Sequence, residues 1–260
     1  MSRQLSVLVA EDHPVNQRVI RLLLQNLEVK FDLANNGREA IQAAANKHYS
    51  VILMDCMMPE VDGFEAAYEI RRHEFERNKY TPIIACTALD KDRILERCVR
   101  SGMNDYLMKP ISKELLRRKL SFWSLGSKPI HQIPITVVEE IARVESGNQD
   151  EPINRIYLDL LYGVQQLDEV LELFLTVTAR LLTELKAAIA NREVSAVRNI
   201  AHEIKGSSYA VNAREMAKIC RELEHTAEAE DWTEAESLYN TLEHAFVRVH
   251  KFLQGKELPV

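Results

Sequence analysis

Cysteine is scarce in this chain. The four cysteines, at 56, 86, 98 and 220, have neither the spacing of a disulfide framework nor a CxxC metal pair, which points to a reducing compartment and small buried thiols. Long apolar runs are missing too: the longest falls far short of the roughly 20 residues that span a bilayer. The N-terminus, MSRQLSVLVAEDHP, reads as a strand rather than a signal peptide. A cytoplasmic chain with no membrane contact by this segment is the expectation. Nor is there an excess of basic charge. Up to residue 121 there are 19 Lys and Arg against 17 Asp and Glu, and after it 14 against 22, so the halves carry +2 and −8. Neither has the balance of a nucleic-acid binder. No internal repeat and no low-complexity tract interrupts the 260 residues, a length that suits two domains.

The most informative stretch is residues 51 to 63, VILMDCMMPEVDG. Val51, Ile52, Leu53 and Met54 form a continuous apolar run, the pattern of a strand buried on both faces of a parallel sheet. The run leads straight into Asp55, and the turn chemistry of Pro59 and Asp62-Gly63 then stops it, leaving the acid on a loop. Residues 5 to 10 (LSVLVA) repeat the design, ending at Glu11-Asp12, and are followed by a helix whose apolar face carries Val15, Val19, Leu22, Leu23 and Leu27. Strands are further expected at 29 to 34, at 82 to 86 ending at Thr87, and at 106 to 108 ending at Lys109-Pro110. Helices are expected between them at 37 to 45, 64 to 78, 91 to 101 and 112 to 120. This alternation predicts a five-stranded parallel sheet with helices on both faces.

In such a sheet Glu11, Asp12, Asp55, Thr87 and Lys109 all fall on one rim, the edge where open α/β sheets bind ligands. Three carboxylates packed together repel unless a cation neutralises them, and all-oxygen ligation suits Mg2+. With Mg2+ and Lys109 screening the charge, one carboxylate can attack a phosphoryl group and become an acyl phosphate.

On these residues, positions 5 to 121 resemble the receiver domain of two-component signalling proteins. The resemblance implies a flavodoxin-like α/β fold with strand order 2-1-3-4-5. It implies Asp55 as phosphoacceptor, and Glu11, Asp12, Asp55 and the backbone carbonyl of Met57 as the Mg2+ ligands. It also implies Thr87 and Tyr106 as switch residues, Lys109 as the lysine that contacts the phosphoryl oxygens, and a cis Lys109-Pro110 bond. Met57 and Leu89 are apolar where receivers often carry polar residues that orient the hydrolytic water, which predicts slow loss of the phosphoryl group.

Residues 122 to 152, rich in Pro, Gly and Ser, read as a linker, with a short helix at 137 to 145 and packing of Trp123 on the first domain both left open. As a flexible coil, 31 residues span roughly 30 Å r.m.s., which puts sites on either side at an effective concentration on the order of millimolar. From 153 to 260 the pattern is helical. Val170, Phe174, Val177, Leu181, Leu185 and Ala188 form one stripe, and Val197, Ala201, Ile204, Ser208 and Val211 a second. Ala213, Met216, Cys220, Leu223 and Ala227 form a third, and Ala235, Leu238, Leu242, Phe246, Val249 and Leu253 a fourth. Asn212 and Asp231 stand at expected N-caps, and a shorter leading helix is expected near 153 to 161. Together these predict an antiparallel four-helix bundle.

His202 lies off its core stripe, on a face with Arg198, Lys205, Gly206 and Tyr209, and is expected to be exposed. A glycine inside a helix costs about 1 kcal/mol relative to alanine; at i+4 it clears room for a partner beside the imidazole, and Lys205 offers charge to phosphoryl oxygens. The stretch AHEIKGSS, 201 to 208, resembles the H-x-x-K-G-x-S signature of histidine-phosphotransfer (HPt) domains. Receiver followed by HPt domain resembles the C-terminal part of a hybrid sensor histidine kinase, although the sequence holds no kinase catalytic domain. The resemblance implies a relay from a sensor histidine kinase to Asp55, to His202 and on to a separate response regulator. Two other readings stay open on the residues alone: an Mg2+-dependent phosphatase with an aspartyl nucleophile, and an interaction module without chemistry.

Overall fold

The computed structural model describes residues 5–72, 78–88, 91–124, 152–153, 158 and 164–254. The chain divides into two compact units, Met1–Pro134 and Ile135–Val260. Most of the expected linker, the helix at 137 to 145, most of the leading helix near 153 to 161 and Leu89 lie outside the described residues.

In the first unit strands and helices alternate in the order β1 (Ser6–Ala10), α1 (Pro14–Asn26), β2 (Lys30–Ala34), α2 (Gly37–Asn46), β3 (Val51–Asp55), α3 (Gly63–Arg72), β4 (Ile83–Thr87), α4 (Lys91–Ser101), β5 (Asp105–Met108) and α5 (Lys113–Ser124). All strand pairs are parallel and the order is β2-β1-β3-β4-β5, as expected. β3 and β4 are buried at every position, the consequence of cover on both faces. β2, at the edge, is open at Lys30 and closes only at Ala34. Pro14 opens α1, where its missing N–H leaves no bond unmade.

Asp55 is the last residue of β3 rather than the start of a loop, because it still pairs with Cys86 in the ladder. The turn from β3 into α3 is tightly fixed. The amide of Gly63 donates to the Cys56 carbonyl at 3.2 Å, and a Cβ on Gly63 would sit 1.9 Å from the Asp55 carbonyl oxygen. Only glycine lets α3 begin so close under the acid. At the other end α5 runs on through Ser124, so residues 122–124, read as the start of the linker, close the last helix instead. Trp123 is buried there, and its indole N–H donates to Asp105 Oδ2 at 3.0 Å, while Lys119 donates to Asp105 Oδ1 at 2.6 Å.

Among the described residues the second unit has four long helices, α6 (Val164–Ala190), α7 (Val194–Ala210), α8 (Arg214–Glu228) and α9 (Trp232–Leu253). They pack as a closed ring in which α6 touches α7, α7 touches α8, α8 touches α9 and α9 returns to α6. Each connection is short and turns on one left-handed residue, Arg192, Asn212 or Glu230. Asn212 is therefore a turn residue rather than an N-cap: Asn tolerates its φ of 54°, and its Oδ1 accepts from the Arg214 side chain at 2.9 Å. Asp231 does cap α9, accepting from the Glu234 amide at 3.1 Å. The first three stripes are buried as expected. On α9 the buried set is Ala235, Tyr239, Leu242, Ala245 and Val249, with Leu238, Phe246 and Leu253 at its margin.

Candidate functional site: an acidic rim and a carboxylate-held histidine

The strand order reverses between β1 and β3, and this switch point opens a crevice at their carboxyl ends. β1 delivers Glu11 and Asp12 there and β3 delivers Asp55, so that one carboxylate oxygen of each lies within 4.8 Å of the others. β5 brings Lys109, whose backbone N–H donates to the Thr87 carbonyl at the end of β4 at 2.7 Å. The Lys109 ammonium reaches Asp55 Oδ2 at 2.5 Å and Glu11 Oε2 at 2.7 Å. Lys109-Pro110 is cis, as the resemblance implies.

The acids have further partners. Asn16 donates to Glu11 Oε1 at 2.8 Å, Gln17 to the Glu11 carbonyl at 2.6 Å, and the Met57 amide to Asp55 Oδ1 at 3.2 Å. Burial, and after it the charge of Asp55, push the Glu11 carboxyl up to about 8 although Lys109 pulls it down. Burial works against the Lys109 ammonium, but Asp55 and Glu11 more than offset it and hold it charged. An ammonium between two acids, with a third beside them, is a donor set short of positive charge, and a hard divalent cation fits it. Thr87 is buried on the neighbouring strand, and Tyr106 is half-buried with the Lys119 ammonium 5.6 Å from its ring centroid.

In the bundle, α7 carries His202, Lys205 and Gly206. The imidazole is half-buried rather than open, with 22% of its side chain exposed, and Gly206 is buried. Lys205 departs furthest from expectation. It is 2% exposed, and its ammonium donates to Glu224 of α8 at 2.7 Å (Oε1) and 2.5 Å (Oε2). Its charge is engaged within the protein instead of standing ready on the surface. Glu224 Oε1 also lies 2.9 Å from His202 Nδ1. Burial raises the Glu224 carboxyl, but the His202 hydrogen bond and the charge of Lys205 outweigh it, so the group stays below its ordinary value and ionised. An ionised carboxylate can only accept, so Nδ1 carries a proton, and in the neutral ring the lone pair is on Nε2. One turn before His202, Arg198 pairs with Glu228 of α8 at 2.9 Å, with about half of each side chain exposed.

Residues 7–121 match the family model of the response regulator receiver domain, and residues 169–251 match that of the Hpt domain. The chain is a receiver domain followed by an HPt domain. It is 26% identical over 221 residues to the signal transduction histidine-protein kinase BarA of Shigella flexneri, covering 85% of this chain and 24% of that protein. It is 27% identical over 256 residues to the sensor protein GacS of Pseudomonas syringae, covering 95% of this chain and 27% of that one. The chain thus spans about a quarter of the length of these two relatives. Among solved structures, the receiver is similar to that of a sensor histidine kinase of Pseudomonas aeruginosa with a magnesium ion coordinated in its active-site cleft. The two are 42% identical, covering 48% of this chain and all of that one, with a TM-score of 0.43. No helix among the described residues is long and apolar enough to cross a membrane.

Two participants escaped the sequence. Asn16 sits on α1 among apolar neighbours, where a buried amide is the only signal of a bond to the rim. Glu224 flanks the Cys220, Leu223 and Ala227 stripe, and no spacing within one helix links it to a histidine on another.

Proposed function

We propose that this chain is a two-site intermediate of a phosphorelay. Asp55 receives a phosphoryl group from a histidine of a sensor histidine kinase, in the same polypeptide or a separate one, and passes it to His202. His202 then exchanges it with the aspartate of a separate response regulator. Residues 1–124, through the end of α5, and 153–260 are the two working domains, and 125–152 is the tether between them. The observation that carries this reading is the pairing, in one chain, of a lysine-held acid at a sheet switch point with an imidazole whose Nδ1 is held by a carboxylate.

Glu11, Asp12, Asp55 and the Met57 carbonyl are the residues that would hold Mg2+, which when bound neutralises carboxylate and phosphoryl charge at the rim. Lys109 holds the Asp55 oxygen and meets the incoming phosphoryl oxygens. An Asp55 oxygen forms the new O–P bond as the donor's N–P bond breaks and its electron pair returns to that imidazole. In the second step the Nε2 lone pair of His202 forms an N–P bond, and the electron pair of the O–P bond returns to the Asp55 carboxylate. The ring becomes cationic, and Glu224 stabilises it through Nδ1–H. Gly206 keeps the helix face beside the imidazole clear for the partner. Thr87 and Tyr106 take the switch roles, answering the new charge at Asp55.

The test uses the full chain, a small acyl phosphate and Mg2+. A hydroxylamine-sensitive label on Asp55 and an acid-labile label on His202 are expected. His202→Gln should keep only the first, and an Asp55→Asn chain that labels like the wild type would overturn the reading. Mixing His202→Gln with Asp55→Asn at micromolar concentration should form phosphohistidine more slowly than the intact chain does.

A further inference from the structure

We propose that Arg198, rather than Lys205, is the cation that takes hold of the phosphoryl group at His202, exchanging its bond to Glu228 for the phosphoryl oxygens. The inference rests on the phosphorelay reading and assigns a binding residue to it.

A phosphoryl group arriving on Nε2 brings two negative charges to a place that already holds two acids, Glu224 and Glu228, one turn apart on α8. A positive partner has to come from the adjoining surface. Lys205 is poorly suited. Its ammonium is buried, and both of its short bonds go to Glu224, the same carboxylate that orients His202. Withdrawing it would leave Glu224 half-buried against one partner fewer, and would disturb the imidazole at the moment of transfer.

Arg198 meets none of these obstacles. It lies four residues before His202 on α7, a spacing that makes two side chains neighbours on one helix face. Side chains lean toward the N-terminus of their helix, so the His202 ring is tilted toward the turn that carries Arg198. The partner of Arg198 among the described residues is Glu228, through an ion pair with both side chains about half exposed. Such pairs contribute little, and releasing this one strands no buried charge, because Glu228 is left in water. The guanidinium offers a planar fork of donors that matches two phosphoryl oxygens at once, which a single ammonium does not. The exchange replaces a singly charged carboxylate by a phosphoryl group of higher charge, so the guanidinium gains the stronger anion.

The experiment uses the full chain, labelled to equilibrium with a small acyl phosphate and Mg2+, and reads the ratio of acid-labile to hydroxylamine-sensitive phosphate. Arg198→Ala should lower the His202 to Asp55 ratio roughly tenfold, the size of one lost charge-assisted contact. Its urea midpoint should not move, which separates binding from structure. Arg198→Lys should recover part of the ratio, and Glu228→Gln, which frees the guanidinium, should raise it. Arg221→Ala, removing another cation of α8, should leave the ratio within about twofold. A ratio within about twofold of wild type in Arg198→Ala, or an equal loss in Arg221→Ala, overturns the assignment while leaving the relay intact. A wild-type chain that forms no phosphohistidine at all overturns both.

Discussion

The carboxylate of Glu224 is shared between two donors on the neighbouring helix: Oε1 lies 2.9 Å from Nδ1 of His202 and 2.7 Å from Nζ of Lys205. Removing it by Glu224→Ala leaves a buried ammonium unpaired, and a loss of about 3 kcal/mol is expected. Glu224→Gln keeps an acceptor for Nδ1–H but loses the charge, so it should be milder in urea unfolding while still slowing phosphohistidine formation. The Glu224 carboxyl lies below its ordinary value of 4.5, so its contribution is present above pH 4.5 and disappears as the pH falls through the lower folded value. Unfolding of the wild type should therefore lose stability across that acidic window, and Glu224→Gln should lose less of it. Equal pH dependence in the two chains would contradict the shared bond.

The contrast between the two sites shows what a sequence makes legible. Asp55, Glu11, Asp12 and Lys109 could be brought together from the sequence because each follows its own strand, and strand ends in a parallel sheet share one rim. Position along the chain translated directly into position in space. The surroundings of His202 did not translate, because Lys205 and Glu224 meet between two helices whose relative rotation no single-helix pattern fixes. The same limit explains α9, where the apolar positions form a stripe wide enough to be buried along either margin, and the neighbours select Tyr239 and Ala245.

Glu11 supplies a metal-dependent prediction with a definite sign. Its carboxyl is raised from 4.5 to about 8 by burial and by Asp55, so the metal-free receiver gives up stability as the pH rises through that range. Mg2+ should restore it, by about 2.7 kcal/mol when present at 100 times its Kd. Thermal unfolding with and without Mg2+ should therefore diverge as the pH increases, and Asp12→Asn should narrow the gap. Curves that stay parallel from pH 5 to 9 would count against the cation site.

Gly63→Ala tests how rigidly the acid is mounted. The new methyl would meet the Asp55 carbonyl at 1.9 Å, and both atoms are fixed by the backbone, so no side-chain rotation relieves the clash. A destabilisation of about 3 kcal/mol or more is expected, with loss of Asp55 labelling. A chain that unfolds at the wild-type urea midpoint would show that the end of β3 can give way.

Met57 bears on the lifetime of the acyl phosphate. Its side chain is half-buried beside the core and has no polar atom to orient a water, while its amide is bonded to Asp55 Oδ1. Met57→Asn should accelerate loss of the phosphoryl group in a His202→Gln background, severalfold by the decay of the hydroxylamine-sensitive label. An unchanged half-life would remove Met57 as a determinant.

The bond from Trp123 to Asp105 also equips the receiver with an optical reporter. The sequence has two tryptophans, Trp123 and Trp232, one in each unit, so Trp232→Phe leaves a single emitter. That indole is buried, hydrogen-bonded to the residue preceding Tyr106, and held by the same aspartate that binds Lys119. Its emission wavelength follows the polarity around that hydrogen-bonded ring, so loosening of α5 from β5 can be followed in real time without attaching a dye.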